Sequence, residues 1–121
     1  MQEIRALIRD IPDFPKPGII FKDLTPLIRD SAALLNVTKA LCKPFLDSGV
    51  SVVAGMEARG FIFGTLVARE MNIGFVPLRK PGKLPGKVIS MAYKLEYGED
   101  ELQLHDDALT NDDKVFLVDD L

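Results

Sequence analysis

A chain of 121 residues, 47% hydrophobic and 27% charged, with a formal charge of −3, is long enough for one folded core and too apolar to stay disordered. No apolar stretch is long enough for a membrane-spanning helix, and the slightly acidic balance argues against general binding to nucleic acid or membrane surfaces. The start, Met1-Gln2-Glu3-Ile4-Arg5, lacks the basic cluster and apolar run of a targeting peptide, and the single Cys42 excludes an internal disulfide framework, so a reducing cytoplasm is expected.

Ile4, Leu7, Ile8 and Ile11 recur at helical spacing up to Pro12, which predicts a short amino-terminal helix. Pro12, Pro15, Pro17, Gly18 and Pro26 then punctuate residues 12–27, an irregular segment whose φ angles proline partly fixes. Ser31 is the expected cap of a second helix with an apolar stripe at Leu34, Val37, Leu41 and Phe45, ended by Pro44 and Gly49. Cys42 falls on that helix as inert packing. The run Val50-Ser51-Val52-Val53-Ala54-Gly55 reads as a strand covered on both faces, residues 61–71 as a helix, and Phe75-Val76-Pro77-Leu78 as the next strand. A βαβ crossover of this kind is right-handed and joins parallel strands. It brings the loop Met56-Glu57-Ala58-Arg59-Gly60 to the carboxyl edge of the sheet, where open α/β sheets bind ligands. Val88–Leu95 and Glu101–His105 alternate apolar and polar residues around 96–100, as an antiparallel ribbon does. Val115–Val118 returns as a central strand and delivers two adjacent carboxylates, Asp119 and Asp120.

Charge is unevenly spread. Arg79, Lys80, Lys83, Lys87 and Lys94 crowd one segment, whereas residues 96–120 hold ten carboxylates. Cationic and acidic segments facing each other suit a polyanion that arrives with a divalent metal, such as a diphosphate, although on charge alone solvated surface is the commoner reading. His105, the one histidine, has no metal-ligand spacing around it and reads as structural. A catalytic triad, a Gly-x-x-x-x-Gly-Lys loop and a Gly-x-Gly-x-x-Gly fingerprint are all missing from the sequence. The inventory suits a reaction that needs a positioned phosphorylated substrate and a proton-transfer carboxylate rather than a covalent nucleophile.

Five motifs stand in order: Asp13-Phe14-Pro15-Lys16-Pro17-Gly18-Ile19-Ile20-Phe21-Lys22-Asp23, Ala58-Arg59-Gly60-Phe61-Ile62-Phe63-Gly64, Arg79-Lys80-Pro81-Gly82-Lys83-Leu84-Pro85-Gly86, Leu95-Glu96-Tyr97-Gly98 and Val118-Asp119-Asp120-Leu121. Together they closely resemble the adenine phosphoribosyltransferase family along the whole chain, and the set is more specific than any one motif. The resemblance implies the α/β fold of type I phosphoribosyltransferases, a mainly parallel central sheet flanked by helices, with an antiparallel flexible-loop ribbon. Residues 1–121 are then one incomplete domain, with 1–27 as a base-binding hood. The implied reaction moves a phosphoribosyl group from phosphoribosyl diphosphate to N9 of adenine, giving AMP and diphosphate with Mg2+. The implied setting is cytoplasmic purine salvage by a homodimer, without nucleic-acid or membrane partners. In the family the last motif runs on into a loop that cradles the 5-phosphate. We therefore expect these residues to be the amino-terminal part of a longer enzyme, inactive alone, with the apolar surface of Val115–Val118 uncovered.

Substitution at an anomeric carbon passes through an oxocarbenium-like state, so sugar hydroxyls must be held, the leaving diphosphate neutralised and the base proton managed. By resemblance, Asp119 and Asp120 bind the ribose hydroxyls and Arg59 the diphosphate. Arg79, Lys80 and Lys83 join Arg59 from a mobile basic loop, with some groups acting across a dimer interface. Glu96 is the implied proton-transfer residue, accompanied by Tyr97, and no residue ligates the metal directly. Adenine recognition falls to Ile20, Phe21 and Lys22: Phe21 stacks on the purine while the backbone at Ile20 and Lys22 reads its polar edge, which is the reverse of a 6-oxopurine's. Lys22 often corresponds to Arg in the family, which puts a side-chain contact in doubt but not a backbone one. A non-proline cis peptide between Glu57 and Ala58 is also implied. Taken singly, paired acids more often end a strand and Glu96 is more often exposed in a turn, Arg59 reads as a surface salt bridge, and Phe21 is as readily core packing as a stacking ring. A nucleotide-binding regulatory relative without turnover, a structural partner subunit and a transferase for another purine base are the alternatives.

Overall fold

Pro12 closes a strand rather than a helix. In the computed structural model, which describes residues 2–95 and 98–119, α1 is only Gln2–Arg5, and β1 (Arg9–Pro12) pairs antiparallel with β2 (Ile20–Asp23). The expected helix through Ile11 is thus replaced by a ribbon, across which opposite charges meet: Arg9 with Asp23 at 2.7 Å and Lys22 with Asp10 at 2.5 Å. Between the strands, Asp13 takes φ 56° and its Oδ1 accepts the Gly18 N–H at 2.9 Å, while the Phe14 N–H donates to the Ile19 carbonyl at 3.1 Å. Residues 12–27 are therefore less irregular than expected. They also hold all of β2 and the start of α2 (Thr25–Arg29), whose first turn accommodates Pro26.

The next helix, α3 (Ser31–Cys42), is capped by Asp30 instead of Ser31, with the Ala33 N–H donating to Asp30 Oδ1 at 3.0 Å. Its buried positions are Ala33, Thr38 and Cys42, whereas Leu41 and Phe45 are exposed. Both stripes satisfy a helical period; a 3-10 turn at Lys43–Phe45 breaks the phase on which the expected one relied. Burial, and secondarily Glu70, pushes the Cys42 thiol up, consistent with packing rather than reactivity.

The chain divides into two compact units, Met1–Leu41 and Cys42–Leu121. In the second, β3 (Val52–Met56) lies between β4 (Gly74–Leu78) and β7 (Val115–Val118), all parallel, with α4 (Arg59–Met71) as the crossover helix. Strand alternation divides the sheet's neighbours between its faces. Val52, Ala54 and Val76 pack with Leu78, Leu104, Ala108 and Leu109, while α4 packs against all three strands. Val53 and Val67 are fully buried. Val67→Ala removes two methylene equivalents from this core and should lower unfolding free energy by about 2 kcal/mol, read as a fall in urea midpoint; an unchanged midpoint would mean the helix face repacks.

Among the described residues β7 is an outer strand, not a central one, and Val115 and Leu117 are exposed as expected for an uncovered strand. An antiparallel ribbon joins β5 (Val88–Leu95) to β6, which starts at Gly98, earlier than expected, and ends at His105. Arg79 bridges to Gln103 in both directions, at 2.9 and 2.7 Å, attaching the ribbon to the continuation of β4. No helix among the described residues is long and apolar enough to cross a membrane.

Candidate functional site at the carboxyl edge of the sheet

Three glycines bring α4 down onto the strand ends. A methyl group on Gly55 would stand 2.5 Å from the Gly60 carbonyl oxygen, and one on Gly60 would stand 2.9 Å from the Val118 carbonyl oxygen and 3.6 Å from the Asp119 Cα. A methyl on Gly64 would meet the Phe75 ring at 2.6 Å. Only hydrogen side chains allow this approach, and it sets the start of α4 beside the carboxyl end of β7. Arg59 and Asp119 therefore border one edge. Arg59, expected in the loop, is the first residue of α4, where helix N–H groups lack intrahelical acceptors; its cap residue Ala58 supplies no side-chain bond.

The loop before α4 contains a cis peptide between Glu57 and Ala58, as expected. The Glu57 N–H donates to the Leu78 carbonyl at 3.0 Å, extending the β3–β4 pairing by one residue. Its carboxylate Oε1 accepts the Lys80 N–H at 2.7 Å and Arg79 Nε at 3.3 Å. Chiefly the Lys80 N–H, and then the Arg79 charge, hold this carboxyl below the usual range despite partial desolvation. The Arg79 guanidinium also lies 5.7 Å from the centroid of the Phe61 ring, which meets Phe75 edge-on at 5.9 Å.

Lys80 and Lys83 are exposed on the basic loop, which turns at Gly82 and Gly86 with φ of 82° and 81°. That loop is tied to β6 at two points. Gln103 Oε1 accepts the Gly82 N–H at 3.3 Å, and His105 Nε2 donates to the Pro85 carbonyl at 2.9 Å. The structural reading of His105 thus acquires a definite object. Glu57 and Gln103 were missed by sequence reasoning; for Gln103, the two-residue alternation that sets it on the same strand face as His105 was the available signal.

In the Met1–Leu41 unit, Ile20, Phe21 and Lys22 lie on β2. Pro12, opposite Ile20, has no N–H to exchange, and the Ile19 carbonyl faces the Phe14 side. Backbone groups alternate in direction along a strand, so those of Ile20 and Lys22 point to the outer edge of the ribbon. The Lys22 side chain is engaged by Asp10, leaving the backbone as this residue's outward chemistry. Phe21 meets Phe14 edge-on, with ring centroids 5.1 Å apart.

Asp23 closes the same strand. Bonds from the Thr25 hydroxyl, then the Thr25 N–H, then Arg9 lower its pKa from 3.8 to about 2. A depressed folded pKa means stabilisation that is complete above the unfolded value and lost as protons bind. The ribbon should therefore loosen as pH falls from about 4 towards about 2. Carboxyl carbon shifts of Asp23 followed by NMR check this, and a midpoint near 4 would contradict it.

Glu96, Tyr97 and Asp120 lie outside the described residues. Among the described residues, no three His, Cys, Asp or Glu side chains converge in a way that could hold a metal ion.

No protein-family model matches the chain. Over all 121 residues it is 60% identical to the adenine phosphoribosyltransferase of Methylococcus capsulatus, covering 71% of that protein. Over the same span it is 55% identical to the adenine phosphoribosyltransferase of Nitrosococcus oceani, again covering 71%. The crystal structure of adenine phosphoribosyltransferase from Thermoanaerobacter pseudethanolicus superposes with a TM-score of 0.93 at 47% identity, covering 98% of this chain and 69% of that one. The Saccharomyces cerevisiae enzyme, solved with an imino-altritol bisphosphate and adenine, gives 0.90 at 35% identity, covering 98% and 70%.

Proposed function

The chain belongs to the adenine phosphoribosyltransferase family, and on that premise we propose that it serves transfer of a phosphoribosyl group from phosphoribosyl diphosphate to N9 of adenine. The observation that carries this reading is the 60% identity to the Methylococcus enzyme along the entire chain. In the transfer the bond from C1 of the ribose to the diphosphate oxygen breaks, the bond to N9 forms, and the N9 proton is lost.

Arg59, at the start of α4, and Arg79, Lys80 and Lys83 take the diphosphate. Their positive charge and the N–H groups of the helix start favour a leaving group whose negative charge grows as the bond breaks. Asp119, just past β7, and Asp120, next to it in sequence, accept hydrogen bonds from the ribose hydroxyls, holding the sugar as charge develops at C1. Glu96 takes part in the proton transfer, with Tyr97 beside it in sequence. Ile20 and Lys22 read the adenine edge through backbone groups, and Phe21 stacks on the ring.

Mg2+ suits this donor set as a partner of the diphosphate. It keeps several waters and prefers phosphate oxygens, so cations plus a few carboxylates are a fitting surround, and a dedicated protein cage is not required. When bound, the ion neutralises part of the diphosphate charge. Function as a homodimer in the cytoplasm belongs to the same proposal.

Calorimetry with phosphoribosyl diphosphate and Mg2+, followed by chromatography after adding adenine, tests the reading on a protein that carries these residues at the full length of its relatives, of which they span 71%. Saturable binding and equal yields of AMP and diphosphate are expected, with hypoxanthine a poor substitute for adenine. AMP binding without diphosphate release would point to a regulatory relative. A protein of that length that binds none of these ligands would overturn the assignment.

A further inference from the structure

We propose that Glu57 is a positioning residue for the diphosphate, clamping the start of the basic loop onto the loop after β3 so that Arg79 is aimed before substrate arrives. This rests on the functional reading above. An acid at an anion site repels the ligand, so its presence calls for a compensating role. The contacts supply one. The carboxylate takes Arg79 by Nε, the nitrogen nearest the stem, so this pair does not consume the two terminal nitrogens that form the fork for a phosphate. Phe61, two residues into α4, lies under the same guanidinium. Arg79 is thus oriented at its stem by Glu57 and across its face by the helix that carries Arg59.

The second contact fixes backbone. By accepting the Lys80 N–H at 2.7 Å, Glu57 sets the direction in which the chain leaves β4 for Gly82 and Lys83. The partners are 22 and 23 residues away in sequence and meet because the β3–β4 register ends at Met56 and Leu78, immediately before Glu57 and Arg79. A long side chain such as arginine loses much rotamer freedom when it binds a ligand, and prior fixing removes that loss from the binding step. Glu57 thereby acts on diphosphate affinity without touching the diphosphate.

The test compares the unsubstituted chain with Glu57→Ala and Glu57→Gln, each carried in a protein of its relatives' full length. Glu57→Ala should weaken phosphoribosyl diphosphate binding about tenfold and leave adenine affinity within about twofold, a split that general destabilisation would not produce. Glu57→Gln keeps an acceptor for the Lys80 N–H but loses the charge on Arg79, so about a threefold loss is expected, and it carries the test if the alanine variant fails to fold. A second readout is the Lys80 amide proton, which should titrate with Glu57 below the ordinary carboxylate range and cease to do so in Glu57→Gln. If the unsubstituted chain binds no phosphoribosyl diphosphate, the functional reading falls and this proposal with it. If it binds, and folded Glu57→Gln and Glu57→Ala bind as tightly, the positioning role alone is overturned.

Discussion

Gly55→Ala is expected to destabilise the Cys42–Leu121 unit by about 3 kcal/mol, at the upper end of what overpacking costs, and to weaken diphosphate binding at the same time. The added methyl would lie 2.5 Å from the Gly60 carbonyl oxygen and 2.8 Å from Phe75 Cε1. The first contact is with backbone and can be relieved only by lifting the first turn of α4 away from β3. The second is with a ring already seated on Gly64, so Phe75 cannot swing in that direction to make room. Lifting α4 also moves Arg59 from the end of β7, so stability and ligand affinity should fall together. Gly74→Ala is the control: it starts the adjacent strand, has open space around it, and should stay within about 0.5 kcal/mol of the unsubstituted protein. Urea unfolding of both variants decides the matter. Equal midpoints for Gly55→Ala and the unsubstituted chain would show that α4 does not need its present closeness to the sheet.

The elements that sequence reasoning recovered are those whose signal is local. The apolar run before Gly55, the helical pattern after Gly60 and the second apolar run each declare themselves within a few residues, and together they imply the parallel sheet and its ligand-binding edge. The alternating ribbon after Val88 is similarly local. What escaped depended on distant partners. Ile4, Leu7, Ile8 and Ile11 do have helical spacing, but Arg9 and Asp10 find their counter-charges at Asp23 and Lys22, across a turn that spacing does not reveal. Asp30 and Ser31 are both good cap residues, and the backbone at Asp30 decides between them. Glu57 looks like an ordinary loop carboxylate until strand register brings Arg79 and Lys80 to it. Family resemblance supplied the expectation of the cis peptide, which the structure has, and the roles proposed for single residues, which neither composition nor periodicity contains.

Arg59→Ala should raise the Kd for phosphoribosyl diphosphate about 100-fold, an effect of about 3 kcal/mol, while adenine affinity and the urea midpoint change little. Arg59 begins α4 at the edge bordered by Asp119, where its donors add to those of the helix start. A guanidinium offers a diphosphate paired, charge-assisted bonds that a lysine cannot reproduce, so Arg59→Lys should recover only part of the loss. The residue is half-buried, so the urea midpoint is measured beside the affinity, and a fall in affinity without a fall in stability separates ligand contact from a surface salt bridge. Salt supplies an independent check: with one cation fewer, binding should depend less steeply on ionic strength. Calorimetry at two salt concentrations reads both quantities, and unchanged affinity would remove Arg59 from the site. The comparison with Glu57→Ala then carries weight of its own. A direct contact acts through its own charge and a positioning residue only through Arg79 and the Lys80 backbone, so the arginine truncation must cost more than the glutamate truncation.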